Sequence, residues 1–323
     1  MRSAFSIRVD FAVLLLITLP TLALPCSICR CGDPAFFVNS ARSLSRGQSA
    51  FTIDNFYTRK NSGAALDEAE REHEGRVNFY RPLSVQTVQH EGHYEESQRH
   101  NSLQLIFNYG LSNRLQIMAA MPYSFNRISS GDESVNTNGF GDPELTLIAG
   151  AGSLFGNRVR LALNGGVRLP LGSTDEKNIA GEALDQHAQS GTGAWAGTLG
   201  VQASFGSTAL PLFLSTSYQV NGSNDQDFRY GNVWRFNLAA QRSLGSAIDL
   251  IGEINGRYAR LDRTGGLRDV DSGGTVVYLS PGVRFNLTTS FSLRVQSQVP
   301  VVENLYGAQN EKTNFRAGLI WTM

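Results

Sequence analysis

The sequence predicts an all-β protein, a transmembrane antiparallel β-barrel of about twelve strands that follows a cleaved signal peptide. Three observations carry this prediction. Apolar and polar residues alternate along segments of about ten positions, which is typical of barrel strands. The links between these segments are alternately short and long. The last segment keeps an apolar face up to the final residue of the chain.

The N-terminus has the pattern of a secretory signal. Arg2 and Arg8 supply positive charge, an apolar run follows over 11–24, and small residues before the end of this run allow cleavage after Ala23. A membrane anchor is the alternative, but the run is short for a spanning helix and Pro20 interrupts it. The predicted organisation is a signal peptide (1–23), a periplasmic or plug-like segment (24–47) and an outer-membrane barrel (48–323).

The alternation is nearly perfect in several segments. Leu105 and Phe107 face one way, for example, while Gln104 and Asn108 face the other. A strand places successive side chains on opposite faces, so this pattern describes a sheet with one apolar and one polar side. The strands are predicted near 48–58, 102–110, 114–125, 140–152, 158–170, 192–205, 210–220, 232–243, 248–260, 274–286, 290–299 and 313–323.

A soluble β-sandwich also alternates, so the lengths of the links decide between the two architectures. In bacterial barrels, short turns and long polar links alternate along the chain, with the short turns in the periplasm. An even number of strands then leaves both chain ends on the periplasmic side. The long links are predicted at 59–101, 126–139, 171–191, 221–231, 261–273 and 300–312.

The C-terminal segment provides the third observation. Phe315, Ala317, Leu319, Trp321 and Met323 form an apolar face that ends on the last residue. This resembles the terminal strand signal that the outer-membrane assembly machinery recognises, although such signals usually end in an aromatic residue rather than methionine. The assembly machinery and outer-membrane lipid are therefore expected partners.

The polar faces of the strands collect many charged side chains. A dry core does not hold so many charges without extensive pairing, whereas a water-filled or partly plugged lumen does. A barrel of about twelve strands also encloses more space than its own side chains fill. The residues predicted to line the lumen are Arg160, Arg168, Arg235, Arg257, Arg284, Arg294, Arg316, Glu144 and Glu253.

The three cysteines of the chain are Cys26, Cys29 and Cys31, a spacing at which thiolates can share one soft transition metal ion. The alternatives are a disulfide with one leftover thiol, or attachment to a periplasmic redox or metal partner. His90 and His93 are weaker metal-ligand candidates, because a solvated surface loop explains them more simply. They share a site with the cysteines only if the N-terminal segment threads the lumen.

Three motifs together resemble a family of outer-membrane proteins named for the meta-cleavage pathway of phenol degradation. They are the strand 115–123 closing in Pro-Tyr, the Gly-Phe-Gly-Asp-Pro-Glu-Leu run at 139–145 and the Arg-Leu-Pro-Leu-Gly run at 168–172. The resemblance covers most of the mature chain and implies a channel or transporter that admits small hydrophobic or aromatic compounds. The N-terminal cysteine motif departs from the simplest members and suggests a metal or redox connection.

The residues thus predict a channel in the outer membrane of a Gram-negative bacterium, passing small solutes through an arginine-rich lumen. The alternative is a barrel that binds metal or docks a redox partner through its cysteine segment. Balanced charge gives no case for nucleic acid. No arrangement of nucleophile, histidine and acid indicates an enzyme, and Asp142 is expected to cap a strand start rather than to contact a ligand.

Overall fold

A computed structural model describes residues 44–62, 87–88, 96–130, 133–156, 158–177, 181, 183–184, 186–207, 209–270, 272–307 and 309–323. The predicted signal peptide and most of the predicted N-terminal segment lie outside these residues. The described part of the chain is almost entirely strand. Its one helical element is a 3-10 turn at Gln186–Ala188. No helix in the described ranges is long and apolar enough to cross a membrane.

Eighteen strands are described, and we number them in chain order. They are β1 (Ser49–Ser62), β2 (Thr87–Val88), β3 (Glu96–Ser112), β4 (Leu115–Ser130), β5 (Glu133–Phe140), β6 (Glu144–Leu154), β7 (Val159–Arg168), β8 (Ala196–Gly206), β9 (Pro211–Asn221), β10 (Phe228–Arg229), β11 (Val233–Leu244), β12 (Ile248–Ala259), β13 (Arg263–Thr264), β14 (Leu267–Asp269), β15 (Gly274–Asn286), β16 (Phe291–Leu305), β17 (Gln309–Glu311) and β18 (Asn314–Thr322).

Twelve antiparallel positions close into a barrel, as the sequence predicts. We call each position of this ring a stave, since one of them is shared by two strands. Consecutive wall strands pair with each other, and β1 closes the ring by pairing with β3 on one side and with β18 on the other. The seam between the first and last strands runs from Ala50 opposite Thr322 to Tyr57 opposite Phe315. Both ends of the described chain lie at the end of the barrel that carries the short turns, which identifies this end as periplasmic.

One stave is interrupted. Strand β5 pairs with the extracellular part of β4, and β6 pairs with its periplasmic part. Strands β5 and β6 therefore form a single stave with a break at residues 141–143. At the extracellular end, β10, β13, β14 and β2 form a separate small sheet that joins three of the long links. The links above the barrel are therefore connected to one another by backbone hydrogen bonds.

The predicted strands match the wall closely, but several extend beyond the predicted ends. The predicted link 126–139 is a tight hairpin of β4 and β5, and β1, β3 and β16 also continue into their links. Above the lipid both faces of a strand meet water, so the hydrophobic alternation ends while the backbone pairing continues. The predicted strand 192–205 begins later, at Ala196.

The two faces of the wall differ as expected of a barrel in lipid. Most of the exposed large apolar side chains, such as Leu105, Leu238 and Leu250, alternate with buried polar ones along the strands. In hydrocarbon every backbone polar group must be paired within the sheet, and closure achieves this. The interior has a packed side, where β12, β15, β16 and β18 bury polar groups such as Asn255, Ser280 and Gln298.

Candidate functional site: the cavity inside the barrel

A cavity of about 550 Å³ occupies the barrel interior, and most of its lining residues lie on strands from β1 to β11. Inward-facing side chains of most wall strands line it, since these strands alternate between lipid and lumen. Its periplasmic end is bounded by Leu44 and Gln48, which precede the first strand. Its extracellular end is bounded by Asp142, Ser190 and Thr192.

Part of the cavity wall is apolar, which the sequence analysis did not anticipate. The inward residues here occupy positions in the polar phase of their strands. They are Ile106, Met118, Ala120, Ile148, Ile251 and Ile320. The sequence contained a signal for this apolar surface. Ile106 shares the polar phase of its strand with Gln104 and Asn108, and Ile251 shares that of its strand with Asp249 and Glu253. An apolar residue that interrupts the polar phase of a lumen face indicates an apolar surface inside the barrel.

Two of the predicted lumen arginines, Arg168 of β7 and Arg235 of β11, line the cavity among polar side chains. Arg168 Nη2 donates to Asn221 Oδ1 over 3.1 Å, and Arg235 Nη2 donates to Gln219 Oε1 over 2.8 Å. Gln219 Nε2 donates to the same Asn221 oxygen over 2.7 Å, so the two amides connect the two guanidinium groups. Hydrogen bonds to amide oxygens hold both arginines in place, and Arg168 Nε also lies 3.7 Å from Asp142 Oδ2 in an ion pair. Glu144 also lines the cavity, directly opposite Arg168 across β6 and β7.

Four of the other predicted lumen arginines also form ion pairs. Arg284 donates to Asp249 Oδ2 through Nε and Nη2, at 2.9 and 2.6 Å. Arg257 pairs with Glu311 in a fully buried position. Arg294 and Arg316 share one carboxylate, Asp54, which lies on the first strand.

The structure thus divides the nine predicted lumen residues into three groups. The cavity wall contains Glu144, Arg168, Arg235, Arg284 and Arg294. The packed side of the interior contains Glu253, Arg257 and Arg316, all of them buried. Arg160 lies exposed near the periplasmic end of β7. The predicted phase of the strands places all nine on the polar face, and the structure places the five of the first group at the cavity.

The link between β7 and β8 folds inward instead of extending into the medium. Its residues 186–191 are mostly buried, and the carbonyl oxygen of Ala188 accepts hydrogen bonds from Asn126 and Thr137 of the wall. The interrupted stave holds this inward loop in place, and the described residues of the loop are 169–177, 181, 183–184 and 186–195. Asp142 Oδ1 accepts from the amide of Gly172 at 2.9 Å, and Oδ2 accepts from the amide of Thr192 at 2.8 Å.

Three backbones come together at this point, which explains the glycines of two sequence motifs. A Cβ added to Gly172 would lie 2.6 Å from Cα of Gly191 and 2.7 Å from the carbonyl carbon of Gly141. No larger residue fits such a contact. The Gly-Phe-Gly-Asp and Leu-Pro-Leu-Gly motifs therefore meet to anchor the inward loop. Asp142 was expected to cap a strand start, whereas in the structure it accepts hydrogen bonds from amides of this loop, 30 and 50 positions away.

The cysteine and histidine candidates, Cys26, Cys29, Cys31, His90 and His93, fall outside the described residues. Their metal role stays a prediction. In the described part of the chain, no group of three or more histidine, aspartate or glutamate side chains is arranged to hold a metal ion.

Comparisons with known proteins give one family and several structures. The family model described as "Putative MetA-pathway of phenol degradation" matches residues 100–316. No curated protein matches the chain. The COG4313 outer membrane channel from Pseudomonas putida F1 has a TM-score of 0.65 at 14% identity, covering 90% of this chain and 100% of that one.

Two further solved structures are less similar. The NanC porin has a TM-score of 0.45 at 10% identity, covering 83% of this chain and 98% of that one. The translocator domain of autotransporter NalP from Neisseria meningitidis has a TM-score of 0.45 at 8% identity, covering 86% of this chain and 89% of that one. The structural likeness to the first of the three supports the twelve-stranded barrel fold.

Proposed function

The chain belongs to the family described as "Putative MetA-pathway of phenol degradation", and from this premise we propose that it is an outer-membrane channel for small solutes with an apolar or aromatic part. One observation carries the proposal. The barrel encloses a cavity of about 550 Å³ whose lining combines apolar side chains, such as Ile106 and Ile148, with four arginines. Cavities of this size with a few convergent polar groups are typical of sites for small molecules.

The apolar wall favours solutes with an aromatic or aliphatic part. Burial of apolar surface contributes about 25 cal/mol per Å², so an aromatic ring gains free energy by leaving water for this wall. The same apolar surface contributes little binding free energy to a sugar, because the hydroxyl groups of the sugar lose their hydrogen bonds to water on entry. The likeness in fold to a protein described as an outer membrane channel agrees with a transport role.

We expect Ala120→Trp to reduce transport several-fold, because Ala120 lines the cavity and the indole ring fills part of it. The measurement is the uptake of phenol into proteoliposomes that contain the refolded protein, together with conductance in planar bilayers. The matched control is Ala119→Trp, which places the same ring on the outward face, where lipid accommodates it. Equal transport by both variants and the wild type would show that solute does not use the cavity.

We propose that Arg168 and Arg235, which line the cavity, set the charge preference of the channel. Replacing Arg168 and Arg235 together by glutamine removes two positive charges and keeps the hydrogen-bonding capacity toward Asn221 and Gln219. We expect the ratio of anion to cation permeability, measured from reversal potentials in a salt gradient, to fall several-fold. The control R99Q/R127Q removes two charges from the outward face. A permeability ratio that stays at the wild-type value in R168Q/R235Q would refute the role of these arginines.

A further inference from the structure

Four cations lie side by side on the outward face of the barrel near its extracellular end. Arg59 of β1 is directly opposite Arg99 of β3, and Arg99 is directly opposite Arg127 of β4. Next to Arg59, on the other side of β1, the amide of Lys312 donates to the Arg59 carbonyl oxygen over 3.2 Å. All four residues are exposed. We call Lys312, Arg59, Arg99 and Arg127 the cationic row.

Alternation of the strands places the three arginines on the lipid-facing side. Asp54 and Thr58 of β1 point inward, whereas Ile53 and Arg59 are exposed on the other face. Arg59, Arg99 and Arg127 therefore cannot serve the cavity. In the part of the chain whose side chains are described, no carboxylate forms an ion pair with any of these three.

Directly opposed residues of an antiparallel pair have Cβ atoms about 4.5–5.5 Å apart, and like charges in this position repel each other. Three arginines opposed in succession are thus unfavourable unless an anion lies between them. Glu311 does not provide it, because its carboxylate is buried inside the barrel against Arg257.

The cationic row lies at the extracellular edge of the lipid, judged by its distance along the barrel axis. Residues 109 and 99 of β3 are ten positions apart, which corresponds to about 25 Å along the barrel axis at about 3.3 Å per residue and a tilt of about 40°. This is the thickness of the apolar band of an outer-membrane barrel. Tyr109, Phe107 and Leu105 face outward within the band, and Arg99 stands at its extracellular edge.

The surface just below the row has the shape and composition of a headgroup site. A groove of about 280 Å³ is lined by Arg99, Arg127 and Asn136, with the aromatic rings of Tyr57 and Phe125 beside them. Aromatic residues are typical of the boundary between lipid and water, where one part of the ring meets acyl chains and the other meets headgroups. Guanidinium groups match the geometry of phosphate oxygens, which they bind through two parallel hydrogen bonds.

We propose that the cationic row binds the phosphate groups of lipopolysaccharide, the phosphorylated glycolipid of the outer leaflet, on the outside of β1, β3 and β4. The phosphates lie between neighbouring guanidinium groups and remove their repulsion, while the acyl chains lie against the apolar face below. This assigns a lipid site that is separate from the transport cavity.

The experiment measures lipid binding by the full mature chain in detergent micelles. The probes are bisphosphorylated lipid A, lipid A from which both phosphates have been removed, and inorganic phosphate. Native mass spectrometry gives the dissociation constants, and the shift in unfolding temperature provides a second reading. We expect bisphosphorylated lipid A to bind to the wild type, and R59Q/R99Q/R127Q to bind it at least about tenfold more weakly.

The matched control is R46Q/R114Q/R242Q, which removes three exposed arginines from the periplasmic end and should bind lipid A like the wild type. If the triple variant of the row does not fold, R99Q/R127Q serves the same comparison. Equal affinity of the row variant and the wild type would overturn the proposal, and so would equal affinity for the phosphate-free lipid. Equally tight binding of inorganic phosphate would show a site for free anions and not for the glycolipid.

Discussion

Replacing Asp54 by asparagine is expected to prevent stable closure of the barrel. The Asp54 carboxylate is almost fully buried and accepts a hydrogen bond from Arg316 Nε over 2.6 Å, while Arg294 Nη2 lies 3.4 Å from the same oxygen. The three residues belong to β1, β18 and β16, so this one carboxylate joins the first and last strands of the ring. Removing one member of a buried charged group costs about 3–5 kcal/mol, because the two buried arginines lose the carboxylate that they share.

The free energy of unfolding in micelles, measured with urea, tests this expectation, and the heat-dependent gel mobility of folded barrels gives a simple second readout. Asp249→Asn is the matched comparison. It breaks the pair with Arg284, whose side chain is 18% exposed and lines the cavity, so water replaces the lost carboxylate. A loss of stability in Asp54→Asn no larger than that in Asp249→Asn would mean that the seam does not depend on this cluster.

The strands of the wall were predictable because lipid and lumen impose opposite demands on successive residues. Leu105 and Gln104 are neighbours in sequence and lie on opposite faces, as the period of two for a strand requires. The strand ends were less predictable where pairing continues above the lipid. In the hairpin of β4 and β5, for example, Asn126 and Thr137 are both polar and inward, and nothing in the alternation marks them as strand.

The pairing of charges could not be read from the sequence. The phase of the strands places Arg294 and Arg316 inside, but their shared acid belongs to a strand about 240 and 262 positions away. Only closure of the ring brings these residues together. The apolar wall of the cavity was overlooked for a different reason. Ile106 and Ile251 each stand alone among polar residues in the sequence, and only the structure shows that both line one cavity.

The inward loop was predicted as an extracellular link, and its place inside the barrel depends on contacts that no local pattern encodes. Asp142 is separated from Gly172 and Thr192 by 30 and 50 positions. The resemblance to the family singled out both glycine-containing motifs, but not that they meet. Their meeting places Asp142 at the extracellular end of the cavity, bound to the inward loop.

We expect the loss of the Asp142 carboxylate to change transport more than any substitution elsewhere in the cavity wall. In Asp142→Ala the amides of Gly172 and Thr192 lose their acceptor, and Arg168 loses a carboxylate that lies 3.7 Å from its Nε. Loss of hydrogen bonds to a buried charged group destabilises the inward loop locally by about 2 kcal/mol, which raises its open fraction roughly 30-fold. The barrel itself should still fold, because its strand pairing does not pass through the inward loop.

Hydrogen exchange of residues 169–195 and single-channel conductance test this expectation together. We expect faster exchange in the inward loop, unchanged exchange in β15 and β16, and a conductance that is higher and fluctuates more than in the wild type. Asp142→Asn should give an intermediate result, since its one oxygen can accept from only one of the two amides. The control is Asp175→Ala, which removes an exposed carboxylate from the same loop and should change neither measurement. Faster exchange without any change in conductance would show that the inward loop is anchored by Asp142 but does not restrict the path of the solute.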